Sequence, residues 1–100
     1  MEIKFTYTGS RMLKQLGAAE IAAVNQSLEP LARMSDSPDL ELMKNPLIKK
    51  MITDDGQSFF ALRSKGGLRI FFEVSDQKIN VFDIFHQRQV EQFRPMQRRA

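Results

Sequence analysis

Residues 66 to 89, GGLRIFFEVSDQKINVFDIFHQRQ, decide the fold. Two apolar, β-rich runs flank a short polar turn, the signature of a β-hairpin. With the turn centred on Asp76-Gln77, Ser75 faces Lys78, and further pairs follow: Glu73 with Asn80, Phe71 with Phe82, Arg69 with Ile84. His86 then lies diagonal to Arg69 on the same face. A slip of one residue would send the two to opposite faces. This register lays Leu68, Ile70, Phe72, Val74, Ile79, Val81 and Phe85 on one face, a natural floor for helices. The other face mixes Arg69, Phe71 and Glu73 with Phe82, Ile84 and His86.

Outward from the hairpin, Ser58 to Ser64 reads as another strand. "DDG" at 54 to 56 turns into it, and Lys65-Gly66-Gly67 turns out of it. At the other end of the chain, residues 2 to 8 alternate Ile3, Phe5 and Tyr7 against Lys4, Thr6 and Thr8, a half-buried strand ended by Gly9. Ser10 is placed to cap a short helix through about Leu16. From Ala18 to Met34, Ile21, Val24, Leu28 and Leu31 form one apolar stripe, which Pro30 should kink or end near Leu28. Residues 35 to 46 read as a connector with one helical turn at 39 to 44, and 47 to 52 is ambiguous. The sum is an α+β domain of order β-α-α-β-β-β, with two helices packed on one face of a mainly antiparallel four-stranded sheet. Residues 1–100 form a single domain, with 94–100 a basic C-terminal tail.

One hundred residues with 42% apolar side chains build a core without staples. No cysteine is present, which removes disulfides, thiolate nucleophiles and cysteine-based zinc sites. The composition predicts no metal, no cofactor and no membrane span. With no secretory signal pattern, it predicts a cytoplasmic protein. From Arg63 onward eight cations face four acids, a net +4 over 38 residues. Such a bias suits a phosphate-bearing partner, although a merely solubilising tail explains the last residues equally well.

An arginine fork beside an imidazole on a firm sheet is the outline of a phosphodiester site. Guanidinium holds phosphate in two places and stabilises charge that develops on it, and histidine passes protons near neutral pH. The matching chemistry is metal-free RNA cleavage by the RNA's own 2′-hydroxyl. The plain alternatives are a hydrogen-bonded structural His86 and an Arg69 paired with Glu73 or Asp83.

In order, Leu62-Arg63, Leu68-Arg69, Ile70 to Val74, Asp76, Ile79 to Phe85 and His86 resemble the C-terminal half of RelE/ParE-superfamily toxins of bacterial toxin–antitoxin systems. The resemblance implies a ribosome-dependent mRNA endonuclease that acts in the A site and halts translation. It also implies a cognate antitoxin partner and a toxin–antitoxin hetero-oligomer. It assigns catalytic roles to Arg69, His86 and Arg88, and substrate binding to Arg63, Lys65 and Arg94. Gln87 stands where many members keep arginine, so Arg88 takes that role by a one-residue shift. Glu91 or Phe93 lies near the usual tyrosine, and Phe59 and Ala61 hold the places of a lysine pair. These departures leave two alternatives: a ParE-like toxin that inhibits DNA gyrase without nuclease activity, or a non-toxic protein that binds only its partner.

Overall fold

The structure is a computed structural model that describes residues 1–34 and 42–87. Its elements are β1 (Glu2–Phe5), α1 (Tyr7–Lys14), α2 (Ala18–Ala32), β2 (Ile48–Ile52), β3 (Ser58–Arg63), a 3-10 turn at Lys65–Gly67, β4 (Leu68–Ser75) and β5 (Lys78–His86). The sheet has five strands in the order β1-β5-β4-β3-β2. It is mixed: β1 runs parallel to β5, and the other neighbours are antiparallel. The α+β class and the two helices stand, but the expected four-stranded sheet does not. The ambiguous 47–52 segment is the missing strand, β2, paired with β3 from Ile48–Leu62 to Ile52–Ser58. Five residues with two central lysines carry too little apolar pattern to announce an edge strand.

The helices also depart from expectation at their ends. Thr6, not Ser10, caps α1, its hydroxyl accepting the Gly9 N–H at 3.0 Å. Gly9 sits inside that helix. A Cβ there would lie 2.4 Å from the Val81 carbonyl oxygen, so only glycine lets α1 lie this close on β5. Pro30 does not end α2, which runs on to Ala32. Pro30 leaves the Gln26 carbonyl without its helical donor, and both residues are exposed, so water can satisfy that group. Among the described residues no helix is long and apolar enough to cross a membrane.

Val24, Leu28 and Leu31 of α2 pack with Leu62, Ile70, Phe72, Ile79, Val81 and Ile84 of the sheet in one buried cluster, which Leu42 joins. Ser64, at the end of β3, is tied to α2 as well, with its hydroxyl 2.7 Å from that of Ser27 and 3.3 Å from the Ala23 carbonyl.

The β4–β5 hairpin turns as read. Asp76 and Gln77 both take positive φ (52° and 61°), as a two-residue type I′ turn demands. Ser75 faces Lys78 and Glu73 faces Asn80. Between Phe71 and Phe72 the register shifts by one: Phe72 faces Val81, but Phe71 faces Asp83, which leaves Phe82 as the extra residue of a β-bulge. Beyond it Ile70 faces Ile84, Arg69 faces Phe85 and Leu68 faces His86. The expected pairs of Phe71 with Phe82 and Arg69 with Ile84 are therefore corrected, and Ile84 joins the core while Phe85 leaves it. The bulge falls where β1 ends. Phe5 is the last residue paired with β5, the Thr6 N–H donates to the Val81 carbonyl at 2.9 Å, and α1 then rises over the strand.

Candidate functional site: a basic groove on the open sheet face

The bulge separates the two residues that the hairpin was expected to bring together. His86 pairs in the ladder with buried Leu68, on the helix-covered side, and its Nε2 lies 2.8 Å from Glu20 Oε2 of α2. The other Glu20 oxygen accepts the Gly17 N–H at 3.1 Å, so one carboxylate both closes the first turn of α2 and meets the end of β5. Arg69 lies on the opposite face. Its Nη2 donates to Gln87 Oε1 and its Nη1 to the Leu68 carbonyl at 3.4 Å.

On that opposite face four phenylalanines form a cluster of their own. Phe71 is the hub, with ring centroids 4.9 Å from Phe59, 6.0 Å from Phe82 and 4.6 Å from Phe85, the last perpendicular to it. None of the four belongs to the helix-side core. The alternation of each strand puts them there: Phe59 and Ala61 of β3 and Arg69 and Phe71 of β4 point away from the helices, while Phe60, Leu62, Ile70 and Phe72 point toward them.

Beside the ring cluster runs a groove of about 520 Å³. Lys49 of β2, Arg63 of β3 and Arg69 of β4 line it, together with Phe71, Phe85 and Gln87. No acidic side chain among the described residues lines it. Arg63 and Arg69 are direct partners across the β3–β4 ladder. Like charges opposite each other on a ladder repel, and an anion between them would lower that repulsion. Lys49 is the ladder partner of Ala61, whose small side chain leaves the ammonium room over the strand.

Of the residues expected to act, Arg63 and Arg69 thus converge on one groove. Lys65 opens the 3-10 turn, exposed, and does not line the groove. His86 is on the other face. Arg88 and Arg94 lie outside the described residues. Sequence reasoning missed Lys49, because β2 was not recognised, and Phe85, because the bulge was not. It read Gln87 only as standing where many family members keep arginine, whereas here its amide accepts from Arg69. Ile-Lys-Lys-Met-Ile does not alternate, so the sequence held no clear signal for Lys49. Asp83 faces Phe71 across the ladder, and burial pushes its carboxyl above the usual carboxylate range, partly offset by a hydrogen bond to the Ile84 backbone.

No protein-family model and no curated protein matches the sequence. Solved structures do match in shape. The RelB–RelE antitoxin–toxin complex from Methanococcus jannaschii aligns with a TM-score of 0.61 at 20% identity, over 88% of this chain and 94% of that one. The chain has a RelE-like fold. The intact RelBE toxin–antitoxin complex of E. coli aligns with a TM-score of 0.51 at 19% identity, over 85% of this chain and 94% of that one. Within this RelE-like fold the groove occupies the face of the sheet that α1 and α2 leave open.

Proposed function

We propose that the protein is the toxin of a toxin–antitoxin pair and cleaves mRNA on the ribosome without a metal. The observation that carries this reading is the groove in which Lys49, Arg63 and Arg69 converge, with no acid lining it among the described residues. Support comes also from the RelE-like fold, since both structural neighbours are antitoxin–toxin complexes. In the proposed step the RNA 2′-oxygen attacks the adjacent phosphorus and the bond to the 5′-oxygen breaks, which leaves a 2′,3′-cyclic phosphate and a 5′-hydroxyl. Arg63 and Arg69 hold the phosphate and stabilise the charge that builds on it. Lys49 is the cation placed to protonate the departing 5′-oxygen, and solvent takes the 2′ proton.

His86 is not part of this groove chemistry. Paired with Glu20 on the far face, it joins α2 to β5. A cognate antitoxin would keep the toxin silent by covering the cationic face, and the working compartment is the cytoplasm, where ribosomes are.

Inducible expression with mapping of RNA 5′ ends tests the reading. Cuts inside translated codons are expected from the wild-type chain and from His86→Ala, and Arg69→Ala should lower cutting by about 100-fold, the order seen when a transition-state donor is removed. Intact RNA accompanied by DNA damage would replace this reading with gyrase inhibition. Normal growth without antitoxin would leave only a partner-binding role.

A further inference from the structure

At the end of β5 two neighbouring residues reach opposite faces of the sheet, and each is tied there by its side chain. His86 meets Glu20 of α2 on the helix side, with Nε2 2.8 Å from Oε2. Gln87 accepts from the Arg69 guanidinium on the open side. The β4–β5 ladder ends at the Leu68–His86 pair, so pairing with β4 no longer fixes the place of Gln87. Glu20 is a firm anchor for this strand end. Its other oxygen accepts the Gly17 N–H at 3.1 Å, and Val24, Leu28 and Leu31 bury α2 against the sheet. The His86 and Glu20 side chains are 41% and 36% exposed, so their pairing adds little to global stability. Its place matters more than its strength, because it lies one residue from a group that holds Arg69.

We propose that Glu20 is a positioning residue for Arg69: through His86 it fixes the end of β5, and thereby the Gln87 amide that accepts from the Arg69 guanidinium. This rests on Arg69 holding phosphate in the groove and adds what steadies it from the opposite face. A guanidinium on a long stem binds more tightly when its rotamers are restricted before the ligand arrives. Glu20 does not act on the ligand directly. It lies on the helix side of the sheet, and a negative charge there repels RNA rather than attracts it. Removing that charge should tighten RNA binding slightly if only the field counts, and weaken it if Glu20 works through Arg69. The two roles differ in sign.

Two measurements on the full chain test this. Nitrogen relaxation of the arginine Nε–H groups reads positioning with no ligand present. The Arg69 order parameter should fall in Glu20→Ala and in His86→Ala, while that of Arg63 stays. His86→Ala leaves the Glu20–Gly17 bond in place, so a fall in both variants is not the fraying of α2. An Arg69 unchanged in both would overturn the proposal and leave the groove untouched. Fluorescence anisotropy with a labelled, 2′-O-methylated five-nucleotide RNA then reads the consequence. Glu20→Ala should weaken binding about threefold, within the range of couplings between linked side chains, and should not weaken it in the Arg69→Ala background. A loss of that size in His86→Ala leaves its cutting easily detected. Equal losses in both backgrounds would mean a merely structural role, and tighter binding in both would leave only the field; either result overturns the proposal. Binding that Arg69→Ala does not weaken would overturn the groove as the RNA site, and the proposal with it.

Discussion

The two faces of the sheet are made by the same strands and serve different ends. On the helix side the inward residues are aliphatic or stacked phenylalanine, with Ile70, Phe72, Ile79 and Val81 wholly buried. On the open side the alternate positions carry four half-buried rings, two arginines and a lysine. Area burial stabilises the first face. The second carries facing arginines beside half-buried rings, groups that area burial alone does not account for. One face holds the fold together, and the other carries the basic groove.

Phe71 and Phe72 are neighbours in β4 on opposite faces, and they give the sharpest comparison. Phe72→Ala should cost about 3–5 kcal/mol, the usual effect of emptying a core ring position, whereas Phe71→Ala should cost about 1–2 kcal/mol through lost ring contacts. Urea denaturation of both variants decides the matter; equal losses would mean the faces are not distinct. Next in size, Gly9→Ala forces a Cβ against the Val81 carbonyl and should cost about 1–3 kcal/mol, as overpacking does. That measurement also tests whether the α1 contact holds the bulge in place.

Smaller and opposite in sign, Arg63→Gln removes one of the facing cations. It should stabilise the free protein by about 0.5 kcal/mol at low salt and less at high salt, while weakening RNA binding. A loss of stability on this substitution would show that the two guanidinium groups are not in conflict. The smallest effect concerns Asp83. Its carboxyl is raised by burial, so the folded chain binds that proton more tightly than the unfolded chain does. The stability it contributes is present at low pH and is lost as pH rises through the folded-state value. Asp83→Asn should therefore raise the melting temperature at neutral pH and change it little at about pH 3, below the ordinary carboxylate value.

The hairpin's turn, the strands of β3 and β4, the main helix and the arginine positions were legible in the sequence, because each rests on local alternation or turn chemistry. The bulge was not. In Ile-Asn-Val-Phe-Asp-Ile-Phe the apolar residues fit two phases of alternation, and no glycine or proline marks the change. The choice between phases is made by α1, through Gly9 and Thr6 at Val81, more than 70 residues away in sequence. That one tertiary contact moved His86 away from Arg69 and Phe85 toward it. The β2 strand was illegible for a different reason: edge strands tolerate charge, so Lys49 and Lys50 hid it.

Gln87 carries one more consequence. A guanidinium has a long stem with many rotamers, and fixing it in place usually falls to a carboxylate. A carboxylate at this position would immobilise Arg69 and cancel its charge, so an incoming phosphate would have to compete with it. The Gln87 amide offers the same acceptor oxygen with no formal charge. The Gln87 amide thereby restrains Arg69 without adding a negative charge of its own. Gln87→Glu changes only that amide to a carboxylate, so this one substitution separates restraint from neutralisation.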